Sequence, residues 1–494
     1  MRLRPFVLAG ALALASCTVG PNFFAPKAPA GAGYAPGKTV KPTVATDVAG
    51  GAAQRFVADK DIPGQWWTLF HSAPLDQLIT EALKSNPTLD AAKATLRQAQ
   101  ENVAAQKGIL FPSLTGNLST TRQKISGASQ NNSHFSSIFN FSSGSLNISY
   151  ALDLFGGARR ELESVEAQAR YQRFQLEAAY LTLTSNVVGA AVQEASLRAQ
   201  IAATQDIIRA EREQLTVLRR QLNLGGTSRA AVLAQEATLS ATEATLPSLD
   251  KQLAQQRILL TALAGRFPSQ EVTQTFDLSK LHLPQVLPLS LPSRLVAQRP
   301  DIQAAQAQLH SASAQVGVAT AAMLPQISLS ASYGNSVTDI GKLLDGPGIW
   351  SLGADLVQPI FKGGELLHKK RAAVAAYQAA AAQYRSVVIA AFQNVADTLR
   401  ALQSDAVALA AQVTAERSAR DNLAIARIQY RDGAINYATL LNAETTYQLA
   451  HINRVTAQAT RFADTAALFQ ALGGGWWNRT DVAADGAQAA PKRP

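Results

Sequence analysis

Two prolines recur at one interval. Pro87 and Pro300 lie 213 residues apart, and so do Pro112 and Pro325. Each pair frames a stretch of helical pattern, PTLDAAKATLRQAQENVAAQKGILFP and PDIQAAQAQLHSASAQVGVATAAMLP, and an alternating segment follows each. Phe155 and Phe361 repeat at 206, while Gly225, Val232, Leu233 and Glu236 match Gly433, Leu440, Leu441 and Glu444 at 208. Small loop insertions account for the drift. A period near 210 is a duplicated unit rather than a solenoid repeat. Each copy is expected to run helix, strand, loop, strand, very long helix, turn, return helix, with boundaries at 67–293 and 294–475.

The long helices follow from what is missing. From Glu365 to Asp432 there is neither Gly nor Pro, and Ala158 to Leu224 contains only Gly189. At 1.5 Å per residue each stretch permits one helix of roughly 100 Å. Leu197, Ile201, Ile208, Leu215, Leu218 and Leu222 fall at coiled-coil spacings; a buried bundle core would show the same seam, but helices this long are unusual in globular bundles. Gly225-Gly226 and Asp432-Gly433 close the two helices, since Gly accepts positive φ at C′. Pro247 is expected to bend or break the first return helix, at a cost of about 3 kcal/mol in an interior; Val455 stands at the matching place in the second copy.

Four segments have strand character. SLTGNLSTT from Ser113 alternates weakly. SLNISYALDL from Ser145 places Leu146, Ile148, Tyr150, Leu152 and Leu154 on one face. QISLSASY sets Ile327, Leu329, Ala331 and Tyr333 against Gln326 and three serines, and GIWSLGADLVQPIF sets Trp350, Leu352, Ala354 and Leu356 against Ser351, Gly353 and Asp355. Apolar residues facing out and polar residues facing in suit a barrel with lipid outside and water inside; a soluble sheet with one buried face alternates likewise. Polar loops join each pair, and Tyr150, Phe155, Tyr333, Trp350 and Phe361 are candidates for interfacial girdles. Four strands cannot close a membrane barrel, which needs about eight, and an open edge in lipid leaves backbone groups unpaired. The barrel must be shared between chains.

The N-terminus gives the compartment. Arg2 and Arg4 precede an apolar run from Phe6 to Ala15, a bacterial secretory signal over residues 1–16. Leu14-Ala15-Ser16-Cys17 resembles a lipobox, in which Cys17, the only cysteine of the 494 residues, becomes the lipid-bearing first mature residue. Thr18 rather than Asp follows it, which for such lipoproteins implies delivery to the outer membrane. Residues 17–66 are expected to form an extended arm and 476–494 a flexible tail. No run of 18 apolar residues follows the signal, so any crossing is by strands. Charged residues are 16% of the chain, against about 25% in soluble domains, which implies surface facing something other than water. The net charge of +10 is dispersed, without a run that reads as a nucleic-acid patch.

Taken in order, Cys17 with Thr18-Val-Gly-Pro21, Trp66-Trp67, Arg299-Pro-Asp301-Ile302, Gln358-Pro-Ile-Phe361 with Gly363-Gly364, and Ala471-Leu-Gly-Gly-Gly-Trp476 resemble the TolC family of outer-membrane efflux channels, in its NodT-type or OprM-like lipoprotein branch. The resemblance spans the mature chain apart from the tail. It implies a mainly α protein with a small β contribution: a homotrimer whose four strands per chain form a twelve-stranded barrel, continued by a periplasmic helical tunnel. Its implied partners are outer-membrane lipid, a membrane-fusion adaptor and an inner-membrane pump, with drugs or other small toxic compounds passing through. The tip turns Gly225-Gly226-Thr227 and Asp432-Gly433-Ala434 correspond to the adaptor-contacting ends, and the pair of helices from Glu365 to Ala471 would open like an iris. Where several relatives carry Asp rings at the constriction, this chain has Thr439 and Asn442. These make a weaker cation-binding ring than carboxylates, which implies less divalent-ion block.

Other readings have less to stand on. AGYAPGKT fits a relaxed phosphate loop but lacks the flanking strand and helix. The six His are scattered without HExxH or CxxC spacing, and no nucleophile, base and metal set clusters, so no enzyme, metal site or cofactor is expected. An exit duct for type I protein secretion shares the same architecture, whereas a coiled-coil envelope scaffold leaves the strands unused.

Overall fold

The computed structural model describes residues 18–29, 33–34, 41–126 and 136–480. In chain order its elements are β1 (Arg55–Ala58), a 3-10 turn (Trp66–Phe70), α1 (Ala73–Ser85), α2 (Pro87–Gly108), β2 (Ser113–Ser126), β3 (Ser136–Leu152), α3 (Gly157–Asn223), α4 (Arg229–Glu243) and α5 (Leu246–Leu263). The second half follows with β4 (Val286–Leu289), α6 (Pro292–Gln298), α7 (Pro300–Ala321), β5 (Gln326–Val337), β6 (Gly348–Val357), α8 (Glu365–Arg431) and α9 (Tyr437–Ala471). Pro87 and Pro300 each open the helix of their copy, where a missing N–H costs nothing. Both long helices contain 67 residues, and α3 runs through Gly189 without a break.

The compact units cut across the sequence repeats. One gathers 95–173 and 304–385 with the described residues up to 26; the other gathers 27–94, 174–303 and 386 onward. Each therefore draws on both copies. A helix can be continuous through a repeat while its ends serve different cores.

The first unit holds one antiparallel sheet in the order β2-β3-β5-β6. Strands β2 and β3 are longer than their alternating stretches: β2 continues through Thr120-Thr-Arg-Gln-Lys and β3 begins at Ser136. Beneath the sheet, Arg160 at the start of α3 is almost wholly buried and ties residues 18–26 down, donating to the carbonyl of Val19 (3.1 Å) and to Asn22 Oδ1 (2.8 Å). Ser164 of α3 meets Ser311 of α7 hydroxyl to hydroxyl at 2.9 Å.

The second unit has a conventional core. Trp66 stacks on Phe469 at 5.3 Å, with Phe70, Leu78, Leu260 and Phe462 enclosed around them. The arm is fastened to α9 by Arg461, which donates to Thr43 Oγ1 (3.0 Å) and the Ala52 carbonyl (2.7 Å), and by Gln54, which donates to Thr465 Oγ1 (3.1 Å). It also supplies β1, paired in parallel with β4. Pro247 does interrupt the first return helix: α4 stops at Glu243 and α5 restarts at Leu246, whereas α9 runs unbroken for 35 residues.

Candidate functional site

Two regions bring the singled-out residues together, one in each unit. In the sheet, register decides what stands beside what. Tyr333 lies directly opposite Leu146 on β3 and Trp350 on β6; Tyr150 lies opposite Leu329. Leu114, Leu118, Leu146, Ile148, Leu329, Tyr333, Trp350 and Leu352 thus share one face, and all of them are exposed. The other face carries Asn117, Ser145, Asn147, Ser149, Ser330, Ser332 and Ser351, with Ser332 and Ser351 hydroxyls 2.8 Å apart. An exposed apolar patch this continuous marks a surface meant for lipid or a partner. Phe155 lies half-buried in the turn after β3, and Phe361 is exposed in the turn before α8. The outer edges of β2 and β6 have no strand partner among the described residues. No helix among them is long and apolar enough to cross a membrane.

In the helical unit the two tips are copies of one motif. Gly225 at φ 75° donates to the Leu222 carbonyl (3.0 Å) and Gly226 to that of Gln221 (2.8 Å); Gly433 at φ 76° donates to Tyr430 (3.1 Å) and Ala434 to Gln429 (2.8 Å). This is the Schellman arrangement, which satisfies the last helical carbonyls while reversing the chain. Ser228 and Asn436 then cap the return helices, accepting from the N–H of Ala231 (3.2 Å) and Thr439 (3.0 Å). Gly225, Gly226, Asp432, Gly433 and Ala434 are exposed and Thr227 is half-buried. Thr439 and Asn442 lie three residues apart on the exposed side of α9, opposite the buried Tyr437, Leu440 and Ala443. Cys17 lies outside the described residues.

Sequence reading missed a polar layer inside these tips. Glu211 on α3 is 2% exposed and Glu444 on α9 is 6% exposed. Glu211 Oε1 accepts from Gln448 of α9 (2.6 Å) and Thr242 of α4 (3.1 Å), and Glu444 pairs with Arg427 of α8 at 3.6 Å. Burial pushes both carboxyls above the usual range; the two hydrogen bonds oppose it at Glu211, and Arg427 opposes it at Glu444. A signal was available: Glu211 stands three residues after Ile208 and four before Leu215, a seam position filled by an acid.

The quoted motifs of the second copy serve construction. Arg299 forms a two-pronged pair with Asp301 (3.0 and 2.6 Å) and donates to the Ala471 carbonyl (2.8 Å), while Trp476 Nε1 donates to the Gln298 carbonyl (2.6 Å). The RPDI and ALGGGW segments are thus two halves of one lock, and the left-handed φ at Gly473, Gly474 and Gly475 lets the chain turn into it.

Comparison with known proteins fits this arrangement. The family model described as Outer membrane efflux protein matches residues 78–266 and 291–474, one segment in each repeat. The chain is 30% identical over 420 residues to the pyoverdine export outer membrane protein OpmQ of Pseudomonas putida, covering 84% of this chain and 89% of that one. It is 28% identical over 475 residues to the antibiotic efflux pump outer membrane protein ArpC of Pseudomonas putida, covering 96% of each. Among solved structures, the outer-membrane channel OprN superposes with a TM-score of 0.83 at 26% identity, over 93% of this chain and all of that one. With its duplicated strands, paired long helices and matched tips, the chain belongs to the outer membrane efflux protein family and is an outer-membrane channel.

Proposed function

We propose that three copies pool their sheets into one twelve-stranded barrel and their long helices into a periplasmic tunnel, forming the passive exit duct of a tripartite efflux assembly. The observation that carries this reading is the sheet itself: an exposed apolar face, two edges without a strand partner among the described residues, and four described strands where a closed barrel needs about eight. The partners are a periplasmic adaptor, engaging the tips at Gly225-Gly226-Thr227 and Asp432-Gly433-Ala434, and an inner-membrane pump. Cys17 carries the lipid that supplements the barrel's hold on the membrane. Thr439 and Asn442 line the constriction, and α8 with α9 swings to widen it.

Cargo is a small organic compound selected by the pump. Relatives named for pyoverdine export and antibiotic efflux favour this over protein secretion. Electron microscopy of the detergent-extracted protein tests the architecture: a threefold tube with a helical extension of roughly 100 Å supports it, and a monomer without a tube rejects it. Deleting the gene should raise drug sensitivity without blocking protein secretion; the reverse outcome would move the chain to the secretion class.

A further inference from the structure

The polar layer of the tips joins all four of their helices. Glu211 on α3 is bound by Thr242 of α4 and Gln448 of α9, and Glu444 on α9 by Arg427 of α8. Around it packs an apolar shell that includes Ile208, Leu215, Leu218, Val232, Leu423 and Leu440. Yet four buried oxygens in this layer have no hydrogen-bond partner: Glu211 Oε2, Glu444 Oε2, Gln235 Oε1 and the Tyr437 hydroxyl. Gln235 is wholly enclosed and Tyr437 is 7% exposed. Three of the four can only accept while the carboxyls are ionised. The hydrogens left unpartnered nearby, on the Tyr437 hydroxyl and the Gln214 amide, reach none of these carboxylate oxygens, and bare acceptors in an apolar interior are costly.

We propose that Glu211 and Glu444 form a proton-binding latch between the first hairpin (α3 and α4) and the second (α8 and α9). It is shut while the pair holds a proton and slackens when both carboxyls are charged. The proposal rests on the iris reading above. A proton on either acid supplies a missing donor and removes a like-charge repulsion within the low-dielectric shell. Losing it leaves two buried charges on α3 and α9, with Arg427 paired to Glu444 alone.

The surrounding charges do not cancel this. On α8, Arg427 faces Glu444, and Tyr430 and Glu416 lie near the layer. On α9, Tyr437 adjoins the pair, while His451 and Arg454 are engaged by Glu416. On α4, Glu243 and Glu236 face Arg212 and Arg219 of α3 in exposed ion pairs. Glu243 adds negative potential at Glu211. A metal ion fits less well than a proton, because Glu211 Oε1 is already occupied by two donors, Glu444 already faces an arginine, and no group of three His, Cys, Asp or Glu side chains among the described residues is placed to hold a metal.

The test is single-channel current from the full-length protein in planar bilayers, recorded in buffers stepped from mildly acidic to mildly alkaline. Wild-type current should rise about fivefold across that range, a change within the usual scale of coupling. Glu211→Gln and Glu444→Gln, neutral and nearly isosteric, should each flatten the profile at the low-current level. A flat wild-type profile, a retained step in both variants, or a step that follows added divalent cation instead of pH overturns the latch. A covalent replacement, Glu211→Cys with Gln448→Cys, separates the two levels of the argument. Oxidised, it should hold current low until reductant is added. If it leaves current unchanged the iris reading itself fails, whereas a working lock beside a flat pH profile rejects only the proton.

Discussion

The sheet and the helical core use similar side chains to opposite ends. In the core, Trp66, Phe70, Phe462 and Phe469 are 0–1% exposed; on the sheet, Leu118, Trp350, Leu352 and Leu356 are 65–76% exposed. One region finishes its hydrophobic burial within the chain. The other leaves it to what surrounds the assembled protein. The same residue types therefore predict different consequences when changed, because the term that stabilises them lives in a different phase.

The widest gap should appear on truncation. Phe469→Ala removes a stacked partner of Trp66 and should cost about 3–5 kcal/mol of unfolding free energy, read by denaturant titration in detergent. Trp350→Ala should cost far less in the same titration, and equal losses would break the comparison. Polarity separates the two faces of the sheet. Leu146→Arg should cost roughly 2–4 kcal/mol on refolding into vesicles, and Asn147→Arg, one residue along on the polar face, close to none. If the costs invert, the faces have been assigned the wrong way round.

A smaller effect belongs to the helical unit alone. Burial, then the hydrogen bond and like charge of neighbouring Asp464, raise the Asp405 carboxyl to about 7, against the pull of Arg461. In the unfolded chain the same group sits near 4. The folded state is therefore favoured in acid, and that advantage is lost as pH climbs from the ordinary carboxylate value through about 7. Thermal midpoints should fall between pH 5 and pH 8, and Asp405→Asn should remove about 1 kcal/mol of that slope, a figure discounted for partial exposure. Finally, Ser228→Ala and Asn436→Ala each remove a cap and should cost about 1 kcal/mol. Hydrogen exchange at the start of α4 and of α9 should report matched losses, and a mismatch would show that the two tips are not equivalent.

Much of this was legible because duplication supplies its own control. Prolines, the Phe landmarks and the tip glycines recur in order, and they place the long helices, their turns and the four strands from sequence alone. What escaped had physical reasons. β1 and β4 are four residues each, 231 positions apart between Arg55 and Val286, and β4 contains Pro288; neither has a pattern of its own. From Thr120 to Lys124 β2 is polar on both faces, so no alternation announces it. Gly189 costs about 1 kcal/mol in a helix, too little to stop one held along its length by tertiary contacts. Glu211 was overlooked because a seam is traced through its apolar members, and an acid in a seam reads as a gap; Glu444 is a repeat landmark, but nothing in the sequence shows that it is buried. The RPDI and ALGGGW segments carry the family resemblance without stating why they recur, and only their hydrogen bonds reveal them as a fastening.

The break at Ala244 and Thr245 has a mechanical meaning. Pro247 deprives the Glu243 carbonyl of its helical partner, so the first return arm is two short rods with a joint, while α9 is one rod of 35 residues. A jointed arm absorbs a push at its end as local bending. An unjointed one passes torque along its whole length. In a unit written twice, a single proline is enough to joint one return arm and leave the other stiff.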